Sequence, residues 1–545
     1  MPVIELNYSR LQKLVGKTNK KKIKDVLPFL GLDIESESND EVRIEYSPNR
    51  PDYSTDFGIA LGLQGLLGIK KGLLKLNIKK TKSYNLNVDS SVSKIRPFVT
   101  GIVAKNGKID DKTLSQLMVM QEDLHFGIGR RRKKSSIGIH DLDTITFPLK
   151  YTTTTRNYSF IPLASQQEKT INEILESTDV GKDYGDILGN SSKVPIILDA
   201  KENTVSFPPI INAALTTVTT KTKNLFVEVT GMNKDDIEDM LSVVATILQS
   251  AGFELNVVKI SGAKNSTPTL KTRIMKLDTE LVNKMLGLKL SSNTISTALR
   301  KCRLDASGTK SHITCIIPRY RFDIFGPMDL VEEVALGYGI GNLVPTLSPS
   351  QTIGQKNNQS INLDLLSSIL VGLGYTEALN SSLTSKKILY DMTGRDSSKI
   401  ISVMNSKSQE HTILRDSLLP ALIENLSRNI HETYPQKLFE TGTVFSRGNP
   451  INENINLAAI CVHKDANFTE IKSILQSAIK TAFNIECKTK TFSNSIFENG
   501  RGAEILVNNQ SVGVIGEISS RIVDNFKIRM PVVGFEIKLS GLIFD

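Results

Sequence analysis

Pro318-Arg-Tyr-Arg-Phe-Asp323-Ile-Phe-Gly-Pro327-Met-Asp329-Leu-Val-Glu332-Glu333-Val-Ala-Leu-Gly-Tyr-Gly339 is the stretch from which the rest of the chain is read. Pro327 suits the first position of a helix, and Asp329 then falls in the first turn, where negative charge suits the helix dipole. Asp329, Glu332 and Glu333 stand at i, i+3 and i+4, so they share one face. Like charges at that spacing repel and cost stability unless a cation or a basic partner neutralises them. Asp323 lies upstream, in a loop able to fold back over the same face. Carboxylate oxygens without Cys or His select a hard cation, Mg²⁺ first and Ca²⁺ second. The alternatives are a solvated acidic face or ion pairing to Arg319 and Arg321. Leu330, Val331, Val334 and Leu336 give the helix an ordinary core side.

Around this stretch the chain is that of an ordinary multidomain protein. Its 545 residues make about three to five domains. It is 39% hydrophobic and 23% charged, and no run approaches the length of a spanning helix. The start, Met1-Pro2-Val3-Ile4-Glu5-Leu6, has no basic region followed by an apolar stretch, so no signal peptide is expected. The four cysteines, Cys302, Cys315, Cys461 and Cys487, form no Cys-x-x-Cys pair. Neither a thiolate zinc site nor a disulfide framework is expected, which fits a reducing cytoplasm; a Cys302–Cys315 hairpin pair is the one disulfide to consider. The net charge of +10 permits nucleic-acid binding without requiring it. Arg130-Arg131-Arg132-Lys133-Lys134 is the densest basic run, read either as a phosphate contact or as a solvated loop.

Composition and periodicity divide the chain into four: 1–84, 85–262, 268–343 and 360–545. In the first, Val42 to Tyr46 alternates as a strand, Pro48-Asn-Arg-Pro-Asp52 is a turn, and Ser54 to Leu67 has helical spacing. A polar linker, Lys79 to Tyr84, follows. The second mixes strands (Phe98 to Val103, Leu225 to Val229) with helices (Asp111 to Leu124, Asp235 to Ala251) around a double-proline turn, Ser206 to Asn212. Ser261 to Pro268 reads as a linker. The third has helices at Asp278–Met285 and Ser292–Lys301 before the strand Ile313 to Pro318. A linker from Pro345 to Ser360 leads to the last segment, of long helices and strands.

The opening stretch resembles the metal-binding module of the phenylalanyl-tRNA synthetase beta-subunit family. Ile317-Pro318-Arg-Tyr320-Arg321-Phe-Asp323 and Asp329-Leu-Val-Glu332-Glu333-Val-Ala335-Leu-Gly-Tyr338-Gly339 carry the likeness. It implies that Asp323, Asp329, Glu332 and Glu333 bind Mg²⁺. The likeness extends over the chain. Asn49-Arg50-Pro51-Asp52 is similar to the family's turn. His125 to Asp143, including Ser136-Ile-Gly138-Ile-His140-Asp141-Leu-Asp143, with Ser206 to Asn212 and Phe226-Val-Glu228-Val-Thr230-Gly231, looks like its editing module. The length resembles the shorter archaeal and eukaryotic type, since Leu539 to Asp545 stops before the anticodon-binding domain of the bacterial form.

The resemblance implies a multidomain α/β and α+β fold. Its parts are an N-terminal α+β module, a mixed α/β editing domain, a winged-helix-like metal-binding module and a class II synthetase-like antiparallel sheet with helices. The last is expected to be catalytically degenerate. Phe439 to Phe445 resembles the class II signature, yet Ser446 stands where an arginine clamps the ATP α-phosphate and Gly448 where a glutamate reads adenine. A one-residue slip brings Arg447 to the first position but still leaves the glutamate missing. No arginine follows Glu536, where the third motif requires one. Serine has neither charge nor fork. Charging of tRNA(Phe) is therefore expected from an alpha subunit, in an assembly of two alpha and two beta chains. Leu414-Arg415-Asp416-Ser-Leu-Leu-Pro420 and Gly372 to Glu377 look like family segments, expected to pack against that subunit.

A pocket shaped for phenylalanine rejects tyrosine only weakly, because an apolar site discriminates poorly against an added hydroxyl. The implied activity of the second segment is hydrolysis of tyrosyl-tRNA(Phe). The candidates are Glu228 and Thr230, Ser206 and Asn212, and His125 or His140. Thr230-Gly231 as a mere strand end, and His140-Asp141 as a mere turn, are the plain alternatives. A competing assignment is a nucleic-acid-binding scaffold with no catalytic site of its own; a self-sufficient ligase is opposed by the missing arginines.

Overall fold

The computed structural model describes residues 2–262, 265–309, 311–347 and 353–542, so parts of the expected linkers Ser261 to Pro268 and Pro345 to Ser360 and the last three residues lie outside it. The chain forms two compact units, Met1–Thr346 and Leu347–Asp545. Among the described residues no helix is long and apolar enough to cross a membrane.

The first unit opens with a three-stranded antiparallel sheet in the order Val3–Asn7, Glu41–Glu45, Asp33–Glu37. Its alternating strand Glu41–Glu45 buries Val42 and Ile44. The helix Asp56–Leu66 begins where Thr55 Oγ1 accepts the Gly58 N–H, a cap that satisfies an orphan donor. The turn before it is internal: Arg50 donates to Asp52 at 2.9 and 2.8 Å and lies over the Tyr53 ring.

Two sheets follow. One has five strands in the order Ile78–Lys79, Glu254–Val257, Phe98–Lys105, Leu225–Gly231, Ser135–Asp141. The other runs Ile211–Asn212, Thr204–Phe207, Lys193–Leu198, Leu149–Thr155, Asn85–Val88, Lys259–Ser261. The start of the expected polar linker is thus an edge strand, where Lys79 bonds Glu254 at 2.5 Å. The strand Leu225–Gly231 is buried along its length. Leu225, Val227 and Val229 face the helices Asp111–Phe126 and Lys234–Ser250, while Phe226 packs on Tyr151, Ile197 and Val205 of the second sheet. Side-chain alternation therefore turns Glu228 and Thr230 toward the second sheet as well.

The third part of this unit runs strand Arg273–Asp278, helices Thr279–Leu286 and Ser292–Lys301, and strands Asp305–Gly308 and His312–Ile317. The helix Pro327–Tyr338 closes it, with proline in its first turn as the sequence requires. A Cβ at Gly337 would stand 2.1 Å from the Ala298 carbonyl oxygen, so glycine lets this helix close on Ser292–Lys301. The unit's cores interlock: Phe57 from the first segment and Tyr320 from the third belong to the core around Leu225–Gly231.

The second unit is built on seven strands. Their order is Thr376–Glu377, Gln436–Ser446, Asn452–Val462, Val532–Lys538, Gln510–Ile518, Phe497–Val507, Lys488–Thr491, antiparallel except at the first pair. Helices Asn358–Gly372 and Phe468–Phe483 share one core with Phe439, Leu457 and Phe535; helix Leu419–Arg428 packs on Val444, Ala458 and Ile460.

Candidate functional site

Glu228 sits mid-strand between two glycines, Gly101 on one neighbour and Gly138 on the other, so no side chain at those paired positions covers it. A Cβ on Gly138 would lie 2.5 Å from His140 Nε2, 2.7 Å from Glu228 Oε1 and 3.1 Å from Asn212 Oδ1. Three of the residues singled out in the sequence thus converge on the space that Gly138 leaves open. Ser206 joins them by donating to Glu228 Oε1 at 3.1 Å.

The polar atoms gathered here are acceptors. Asn212 Nδ2 donates away, to the Ile139 carbonyl, so its oxygen faces the gap. Thr216 Oγ1 lies 3.1 Å from the Ala213 carbonyl, to which it donates, and so accepts from His140 Nδ1 at 2.9 Å. That hydrogen-bond order assigns the proton to Nδ1 and leaves Nε2 a bare acceptor. Nε2 of His140 and Oε2 of Glu228 are both buried without a hydrogen-bond partner. Burial pushes the Glu228 carboxyl up to about 7, against the pull of Ser206 and Arg96, and pushes His140 down to about 3, so the imidazole is neutral.

Thr230 does not face this gap. Its Oγ1 receives Arg96 Nε at 2.9 Å and lies 3.1 Å from Ser136 Oγ. Arg96, which the sequence did not flag, is 2% exposed and also donates to the Thr230 carbonyl and to Ser136. Burial lowers it to about 10. Among the described residues it meets no carboxylate at ion-pair distance, and Glu228 acts on it only from further away.

Glu228, Asn212 and Ser136 line a cleft of about 580 Å³. Its apolar wall is Phe207-Pro208-Pro209-Ile210-Ile211 with Ile137 and Leu163. His125 is placed elsewhere: Nε2 accepts the Ile137 N–H at 2.8 Å and Nδ1 meets Glu122 at 3.2 Å. It is a buried backbone partner, outside the group that gathers at Gly138. The basic run is also divided. Arg132 is buried, donating to the Pro209 and Ile210 carbonyls and to Glu122, with its guanidinium 4.3 Å from the Tyr184 ring centre. It forms part of the wall of the cleft. Arg130, Arg131, Lys133 and Lys134 remain exposed. Arg130, Arg131 and Arg132 hold φ of 47°, 53° and 63°, and the internal bonds of Arg132 help hold this costly left-handed turn.

The acidic stretch forms a different centre. Arg321, 2% exposed, binds Asp323 through Nε and Nη2 at 2.9 and 2.7 Å and binds both oxygens of Glu333. Burial alone would raise Asp323, but the guanidinium holds it below the usual carboxylate range. Asp329 accepts the Phe325 and Gly326 N–H groups at 2.6 and 2.8 Å, capping its own helix, and Glu332 is exposed. The single cluster expected of Asp323, Asp329, Glu332 and Glu333 is therefore not assembled among the described residues: Arg321 takes two members and the helix end a third. Arg319 turns away to Asp235, Glu238 and Asp239.

In the second unit, Ser446 ends its strand at the register partner Asn452, and Arg447 donates to the Ile400 carbonyl. Glu536 accepts from Ser417 Oγ, the Leu418 and Leu419 N–H groups and Asn456, which anchors the start of helix Leu419–Arg428. Arg415, expected at a subunit surface, is buried against Glu440 at 2.5 Å. All four cysteines are free, so no Cys302–Cys315 bridge forms.

Comparison with known proteins places this geometry. Family models match as the B3/4 domain over residues 124–246, the tRNA synthetase B5 domain over 275–340 and the phenylalanyl tRNA synthetase beta chain CLM domain over 344–539. The phenylalanine–tRNA ligase beta subunit of Archaeoglobus fulgidus is 38% identical over 550 residues, covering 100% of this chain and 99% of its own. That of Methanocaldococcus jannaschii is 36% identical over 558 residues, covering 99% of this chain and all of its own. A crystallised N-terminal fragment of the phenylalanyl-tRNA synthetase beta subunit from Pyrococcus horikoshii superposes with a TM-score of 0.58. It is 29% identical and covers 62% of this chain and 99% of its own. The chain belongs to the phenylalanyl-tRNA synthetase beta-subunit family.

Proposed function

We propose that the Glu228 cleft hydrolyses tyrosine from mischarged tRNA(Phe), and that the chain otherwise supports charging by an alpha subunit without performing it. The observation that carries the editing assignment is the acceptor floor: Glu228, His140 Nε2 and Asn212 Oδ1 converge, with no donor among them once the Glu228 carboxyl is ionised. A ligand satisfies that floor by bringing a donor. The tyrosyl hydroxyl is one, on a ring that fits the proline and isoleucine wall. Phenylalanine leaves the same buried acceptors unpaired, and sites built this way reject the analogue lacking a hydroxyl by roughly 10⁴–10⁵. Hydrolysis adds water across the aminoacyl ester, returning tyrosine and the free terminal hydroxyl of the tRNA. Arg130, Arg131, Lys133 and Lys134, in the same turn as Arg132 on the cleft wall, are the proposed contacts for the phosphate backbone.

The aminoacylation chemistry is assigned to the partner because Ser446 and Gly448 lack the groups that clamp and read ATP, and Glu536 is engaged in anchoring a helix. Phe325 (82% exposed) and Met328, at the start of helix Pro327–Tyr338, are the apolar surface we assign to the alpha subunit, in an assembly of two alpha and two beta chains in the cytoplasm. The all-oxygen donor set fits Mg²⁺ in kind. With Asp323 and Glu333 held by Arg321, Glu332 and Asp329 are its proposed donors. The test of the function is a pair of assays on the full-length chain, alone and with its partner. Deacylation of tyrosyl-tRNA(Phe) is expected from both preparations and phenylalanine charging only from the complex; charging by the chain alone would overturn the assignment.

A further inference from the structure

The end of strand Asn452–Val462 and the helix that follows it bring together a set of side chains that no part of the editing or scaffolding role uses. Cys461 is fully buried in the sheet, His463 follows two residues later, and Glu470 stands in the first turn of helix Phe468–Phe483. One ligand atom of each lies within 4.8 Å of the other two. Cys461 Sγ is 3.8 Å from Glu470 Oε1, and His463 Nε2 is 2.8 Å from Glu470 Oε2. An ion with bonds of about 2.0–2.3 Å bridges donors this close. A second observation points at the same place. Tyr375, 3% exposed, has a hydroxyl with no hydrogen-bond partner and lies within electrostatic reach of Cys461 and Glu470. Lys437 completes the group, 3.3 Å from Glu470 Oε1 and 5.8 Å from the Tyr375 ring centre.

We propose that Cys461, His463 and Glu470 bind a divalent ion of the zinc type, with a fourth position left open beside Tyr375. Thiolate, imidazole and carboxylate are the mixed donor set that a borderline-soft ion prefers, and three protein ligands leave room for one water or exchangeable group. A water held there can bond the Tyr375 hydroxyl. Loading exchanges the ion for Lys437 on Glu470 and releases the thiol proton: the Cys461 S–H and the ion give a sulfur–metal bond and H⁺. Coordination through Nε2 also moves the His463 ring proton to Nδ1, which gives up the 3.2 Å bond from the Asp465 N–H. The sequence concealed the set because Cys-x-His and a glutamate seven residues on match no thiolate zinc spacing.

The test titrates the full-length chain with Co²⁺, whose thiolate charge-transfer and tetrahedral visible bands report each ligand class. One equivalent is expected to develop both bands, Zn²⁺ to bleach them, and Cys461→Ser to abolish the charge-transfer band. His463→Ala and Glu470→Gln are each expected to weaken Co²⁺ binding by more than about tenfold. If Cys461→Ser fails to fold, these two partly exposed positions decide the matter. Absence of a thiolate band at saturating Co²⁺, its survival in Cys461→Ser, or unchanged affinity in both other variants would overturn the proposal.

Discussion

Two acidic centres of the first unit bury their carboxylates to a similar degree and use them in opposite ways. Glu333 and Asp323 close around Arg321, and the guanidinium satisfies both. Glu228 has only the Ser206 hydroxyl, with Arg96 acting from a distance, and one of its oxygens is unpaired. Asp323 is accordingly held low while Glu228 rises to about 7. Burial alone does not mark a working carboxylate. An unmet hydrogen-bonding requirement inside a cleft does, because a satisfied pair has nothing left to offer a ligand.

The largest effect expected from breaking this contrast is at Arg321. Arg321→Met leaves two buried carboxylates uncompensated and should cost about 3–5 kcal/mol, read by urea unfolding. A loss below about 1 kcal/mol would mean the centre is not the closed pair described here.

Glu228 should respond in the other direction. Its folded value lies above the unfolded value of 4.5, so the native state binds the extra proton between pH 4.5 and about 7. Stability contributed by this group is therefore present at low pH and lost as pH rises through that window. Glu228→Gln removes the loss. The variant should match the parent near pH 4 and exceed it at pH 8 by an amount on the order of 3 kcal/mol at most, followed by thermal unfolding across pH. An advantage that does not grow with pH would contradict the unpaired carboxyl.

His125 sharpens the same distinction between structural and working polar groups. His125→Leu orphans the Ile137 N–H and should cost about 1–3 kcal/mol while deacylation per folded molecule persists. The smallest effect is expected at the rim. Replacing Arg130, Arg131 and Lys133 by Gln should lower the salt slope of tRNA binding by about one per lost phosphate contact, with stability unchanged.

The sequence disclosed what local rules govern. Helix Pro327–Tyr338 announced itself through its proline and its apolar spacing, and strand Leu225–Gly231 through its β-branched and aromatic run. Glu228 was found through the resemblance of Phe226 to Gly231 to the family's editing module, not through any local rule. Partners across the fold were not legible. Arg96 reaches Thr230 across 134 residues, and nothing near Arg96 in the chain signals this. Periodicity put Asp329, Glu332 and Glu333 on one helix face but could not show that Arg321 would take Glu333 inward while Asp329 capped the turn. The run 130–134 looked uniform because composition does not tell that Arg132 alone turns into the wall. Gly138 was visible as a letter, but its value is the space it leaves, which depends on three side chains from three other positions.

The account rests on the acceptor floor at Glu228, and its most direct test is selectivity rather than rate. Deacylation kcat/KM is measured for tyrosyl- and phenylalanyl-tRNA(Phe) with the parent chain and with Glu228→Ala. The parent should favour the tyrosyl ester strongly, and the variant should lose at least about a hundredfold of that preference, close to 2.7 kcal/mol. A preference unchanged in Glu228→Ala would contradict the account.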